Sequence, residues 1–173
     1  MPQINRVRII NFSYNNNNRN IVDETFDFMQ GENALLNLKN GGGKSVLVQL
    51  LLQPVIPKTK LMSRRIEDFF RGKKTPSYIL IEWKLEDQGG YLLTGVALAN
   101  KESQVRDQDE INNSLKYFTF TFHYRSANLF DIENVPLVTR KEDRIYIENF
   151  KDARKELTSK EKNHDYQDRK SVV

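Results

Sequence analysis

A chain of 173 residues, 38% apolar and 10% aromatic, is long enough for one domain with its own core. It has no cysteine, which excludes a disulfide framework, thiolate zinc sites and a cysteine nucleophile, and two histidines (His123 and His164) argue against a histidine-rich metal site. The 27 basic and 23 acidic residues are mixed along the chain, so the net charge of +4 permits contact with nucleic acid without requiring it.

The N-terminus lacks the basic flank and apolar stretch of a secretory signal, and no window approaches the roughly eighteen apolar residues of a membrane span. A soluble cytoplasmic protein with no membrane partner is the resulting expectation. Ile4 to Phe12 alternates apolar and polar residues and is rich in β-branched side chains, which predicts a strand. The run Asn15 to Asn18 breaks it, because short amide side chains bond to their own backbone and favour turns. A second alternation follows at Asp23 to Phe28. Gly31-Glu32-Asn33 then turns the chain into Ala34 to Leu38, an apolar run suited to a buried strand.

Directly after that run comes Asn40-Gly41-Gly42-Gly43-Lys44-Ser45. Val46, Leu47, Leu50 and Leu51 continue at helical spacing until Pro54 and Pro57. Glycines between a strand and a helix are what phosphate binding requires. Backbone N–H groups must converge on the anion without side chains in the way, and the helix N-terminus adds its positive end. In this arrangement Lys44 reaches the β and γ phosphates and the Ser45 hydroxyl ligates Mg²⁺. Leu38 occupies the first glycine position of the full phosphate-loop pattern, which leaves open a glycine-rich turn that precedes Lys-Ser by coincidence.

Beyond the loop, Leu61 to Phe70 predicts a short helix, and the basic clusters Lys58 to Arg65 and Arg71 to Lys74 read either as solvated surface or as contacts to a polyanion. Tyr78 to Leu85 and Tyr91 to Leu98 predict strands flanking Asp87-Gln88-Gly89-Gly90, a composition that favours a tight hairpin turn. Tyr117 to Tyr124 predicts a third strand of an antiparallel sheet, with Phe118, Phe120 and Phe122 on one face and Thr119, Thr121 and His123 on the other. A short strand at Arg144 to Ile147 and a helix beginning near Asn149 complete the body, expected over residues 1–157. The polar segment 158–173 is expected as frayed helix or disordered tail.

The strand Val7 to Phe12 with Ser13-Tyr14, the strand Thr25 to Phe28 and the Asn40 to Ser45 loop together resemble the N-terminal half of the ATPase heads of the structural maintenance of chromosomes (SMC) family, including its bacterial condensin-like and break-repair relatives. The resemblance spans about residues 4 to 125, and only the loop is specific in itself. It implies an α/β P-loop NTPase fold: the N-terminal lobe of an ABC/SMC-type head with an antiparallel β-rich portion. It also implies ATP and Mg²⁺ as cofactors, and as partners the C-terminal half of the same head, a second head joined by nucleotide-dependent dimerisation, and DNA. Nucleoid association would accompany such a role in chromosome maintenance, repair or defence against foreign DNA.

The chain contains neither a Ser-Gly-Gly signature nor four apolar residues followed by Asp-Glu, so hydrolysis is expected only with the missing half. On this reading the chain is an N-terminal fragment or truncated product. Ile79-Leu80-Ile81-Glu82 imitates the acidic motif but reads better as plain strand. Gln88, Gln104 and Gln108 include no residue whose context marks it as the Mg²⁺ glutamine. Tyr14, Arg6 and Arg8 are candidates for the adenine or ribose, against an ordinary exposed strand edge. Arg64 and Arg65 are candidates for phosphate or DNA, against common surface arginines. Two other classes stay open: a stand-alone P-loop kinase or small nucleotide hydrolase, and a non-catalytic binding module with a degenerate loop.

Overall fold

The computed structural model describes residues 1–14, 19–32, 44–57, 75–87, 89–100, 115–126, 131–158 and 166–167. The expected Asn15–Asn18 turn, the Ala34–Leu38 strand, Asn40 to Gly43, the Leu61–Phe70 helix, the basic clusters between Lys58 and Lys74, and Gln88, Gln104 and Gln108 lie outside the described residues.

Alternating apolar residues produce five long strands: β1 (Gln3–Tyr14), β2 (Arg19–Asp27), β3 (Ser77–Lys84), β4 (Tyr91–Asn100) and β5 (Leu115–Tyr124). With the short β8 (Tyr166–Gln167) they form a six-stranded sheet in the order β2-β1-β3-β4-β5-β8. Every pairing in it is antiparallel. β8 comes from within the segment read as a polar tail. A separate ribbon pairs β6 (Val138–Lys141) with β7 (Arg144–Ile147), and the helices are α1 (Lys44–Leu52) and α2 (Phe150–Leu157). The molecule is thus an α/β fold dominated by an antiparallel sheet.

Both faces of the sheet are covered. On one, Val7, Ile9, Ile79, Ile81, Val96 and Leu98 pack with Val46 and Leu50 of α1. On the other, Ile10, Leu80, Leu93, Phe118, Phe120 and Phe122 pack with Ile132, Val135 and Leu137 and with Ala153 and Leu157 of α2. The phenylalanines of β5 therefore share one buried face, as their period of two predicts.

Local irregularities adjust this pattern. The register of β1 on β3 shifts between Ile4 and Arg6, leaving Asn5 as a bulge. Asn11 takes a left-handed φ of 54°, which asparagine tolerates, and Phe12 consequently falls on the same face as Val7 and Ile9. Gly95 lies opposite Phe120, whose ring would stand 2.1 Å from any Cβ there, so glycine lets the ring lie across β4. The β3–β4 connection is longer than the tight turn expected from its composition. It is a loop from residue 85 to 90, closed by a bond from the Leu85 N–H to the Gly90 carbonyl, with Gly90 at φ 74°.

Candidate functional site

α1 begins at Lys44, so Lys44 and Ser45 occupy the first turn of a nine-residue helix. Both are exposed, while Val46 and Leu50 on the same helix are buried against the sheet. The first N–H groups of a helix have no partner within it, and the helix dipole makes that end positive. Acidic side chains often neutralise a first turn, but this one contains none. The donors presented there, an ammonium, a hydroxyl and unpaired backbone N–H groups, suit a phosphate with its magnesium. Asn40, Gly41, Gly42 and Gly43, the rest of the expected loop, fall outside the described residues.

The approach to the loop is held from the sheet. After β2 the chain turns through three successive left-handed residues, Met29, Gln30 and Gly31, at φ 46°, 64° and 94°. The Asn5 bulge holds this turn at two points: its backbone carbonyl accepts from the Phe28 N–H at 2.8 Å, and its side-chain oxygen accepts from the Gln30 N–H at 2.9 Å. Its side-chain amide donates in turn to Glu82 Oε1 at 2.5 Å.

Glu82 is fully buried on β3, as the strand reading expected. Besides Asn5 it accepts from Arg6 Nε at 2.8 Å, from the second Arg6 nitrogen at 3.0 Å and from the Tyr124 hydroxyl. A carboxylate with its acceptor sites filled by internal donors, and no exposure to solvent, is suited to bracing rather than to activating water. Arg6 also reaches Asp131 at 2.6 Å. Burial opposes the charged guanidinium, yet the bonds and charges of Glu82 and then Asp131 outweigh it and raise the Arg6 pKa. Burial, and then the bond to Glu82, push the Tyr124 hydroxyl well above its ordinary range. Tyr91 stacks on the Tyr124 ring with centroids 5.8 Å apart.

A second buried ion pair lies two residues along β1. Arg8 is bidentate to Asp23, at 2.8 and 3.1 Å, and its remaining nitrogen donates to the carbonyls of Ile132, Glu133 and Val135. Arg140 adds a contact to Asp23 at 3.2 Å. Arg6 and Arg8 are therefore neither an exposed strand edge nor free to hold a nucleotide: they sit on an interior strand with their guanidinium groups engaged. The Tyr14 side chain lies outside the described residues. His123 is exposed on β5, with Nε2 2.7 Å from the Gly89 carbonyl.

Sequence reasoning did not identify Asn5, Asp23 and Asp131 as partners of this network. One signal was available, since Arg6 and Arg8 alternate with Val7 and Ile9, and charges on the second face of a doubly covered strand need partners. Among the described residues no group of three His, Asp or Glu is placed to hold a metal, and no helix is long and apolar enough to cross a membrane. No family model matches the chain, and no curated protein matches it either.

Proposed function

We propose that the chain is the ATP-binding N-terminal portion of an SMC-like, DNA-associated ATPase head. The observation that carries the reading is the position of Lys44 and Ser45: exposed, at the start of a helix anchored on the sheet, directly after three glycines in the sequence. In this role Lys44 pairs with the β and γ phosphates, Ser45 completes the Mg²⁺ shell, and Gly41 to Gly43 leave the backbone open to the anion.

Two further features support it. Every strand pairing among the described residues is antiparallel, whereas a stand-alone P-loop kinase or nucleotide hydrolase is built on a mostly parallel sheet. The segment Lys44–Leu52 is also almost wholly apolar after its first two residues, and Val48 is 48% exposed. A helix apolar on all sides suits burial between two layers, so the second half of a head is a fitting cover.

Binding to the folded state raises apparent stability, so a thermal-shift titration with Mg-ATP tests the reading. The expected outcome is an upward shift that is absent in Lys44→Ala, with negligible turnover by the chain alone. Robust turnover lost on Lys44→Ala would favour the kinase or hydrolase class instead. A shift unchanged in Lys44→Ala would remove the phosphate loop from the account.

A further inference from the structure

The β6–β7 ribbon carries a feature that the nucleotide site does not explain. Its pairing register sorts its side chains into two faces. Val138 and Ile147 pack on the core of the sheet and Arg140 reaches Asp23, so the face bearing Val138, Arg140, Ile145 and Ile147 is turned inward. The outward face carries Thr139 opposite Tyr146 and Lys141 opposite Arg144.

All four outward residues are exposed, Tyr146 by 50%. Neither Lys141 nor Arg144 makes an ion pair among the described residues, and the two acids of the ribbon, Glu142 and Asp143, lie in the turn and not on this face. Like charges directly opposite each other on neighbouring strands destabilise a ribbon. Here two cations face each other with no acid between them, and an anion laid across the pair would remove the repulsion. Glu142 adds a left-handed φ of 52° in the turn, a conformation uncommon for a residue other than glycine.

We propose that this outward face docks on double-stranded DNA, with Lys141 and Arg144 on backbone phosphates and Tyr146 against the sugar-phosphate surface beside them. The polyanion supplies the charge that the cation pair lacks, and the major groove of B-form DNA admits a two-stranded ribbon, whereas that of A-form RNA is too narrow. The acids at the tip set the approach: the ribbon lies flat on the duplex and does not enter it turn first. The inference rests on the DNA-associated part of the function proposed above and not on its nucleotide site.

Fluorescence anisotropy of a labelled DNA duplex, titrated with the full chain across a salt series, tests it alongside the double variant Lys141→Gln/Arg144→Gln. The expected result is a Kd weakened roughly tenfold and a log-log salt slope shallower by about two. The thermal midpoint should be unchanged or slightly raised, because neutralising the pair removes its repulsion, whereas a structural role would lower it. Equal Kd and slope in the two proteins would overturn the proposal, as would failure of the parent chain to bind duplex at low salt. Competition by polyglutamate as effective as by unlabelled duplex would also overturn it, marking the face as a site for acidic protein. A Mg-ATP thermal shift on the same samples separates the two readings. A shift without ribbon-dependent DNA binding leaves the nucleotide site standing alone, and ribbon-dependent DNA binding without a shift does the reverse.

Discussion

Asp23 shows how single residues carry long-range order in this molecule. Its side chain is 8% exposed and lies against Arg8, which is 4% exposed and also gathers three carbonyls of the segment leading into β6. Burial alone would raise the Asp23 carboxyl, but the bonds and charges of Arg8 and then Arg140 outweigh it and hold its pKa below the ordinary carboxylate value. The folded pKa lies below the unfolded one, so the stability contributed by Asp23 is full above about pH 4 and is lost as the pH falls through the lower folded value. Asp23→Asn should therefore flatten this part of the acid limb. It should also lower stability at neutral pH by about 3 kcal/mol, since Arg8 would keep a buried charge without its counterion. Urea unfolding of the two proteins from pH 7 down to pH 3 would check this. Parallel curves would show that Asp23 titrates elsewhere.

At the scale of elements, the readable ones were those with strong local patterning. β1, β3, β4 and β5 follow period-two alternation, and α1 follows from apolar spacing ended by Pro54. α2 illustrates a helix set by its cap. Asn149 accepts the Asp152 N–H at 2.9 Å, Asp152 lies in the first turn, and Arg154 and Lys155 lie in the last, all of which suit the helix dipole. Asn149→Ala should cost about 1 kcal/mol of global stability, measured by denaturant unfolding, because Ala153 and Leu157 tie α2 to the sheet. A loss confined to local fraying would show that α2 is not part of the cooperative core. The β6–β7 ribbon was legible only in part, as a short strand at Arg144 to Ile147. Its partner, Val138–Lys141, has too little alternation in four residues to declare itself.

One sheet separates two apolar clusters, and each of its strands β1, β3 and β4 supplies side chains to both. Shared strands should make the clusters unfold together. Leu50→Ala on one face and Leu157→Ala on the other should each destabilise by roughly 2–5 kcal/mol while leaving a single transition. Circular dichroism and tryptophan fluorescence should report the same midpoint in each variant, with Trp83 as the only tryptophan. Two separated transitions would divide the molecule into independent layers.

What the sequence determined by itself was everything governed by neighbours along the chain: where strands and helices start, which faces they bury, and that Lys44 and Ser45 head a helix after a glycine triplet. The tertiary structure decided the rest, because the deciding partners are distant. Glu82 meets Arg6 across 76 positions, Arg6 meets Asp131 across 125, and Arg8 caps the carbonyl of Ile132 across 124. A buried charge must find its counterpart, but only the folded sheet brings the counterpart within reach, and no local periodicity encodes which one it is.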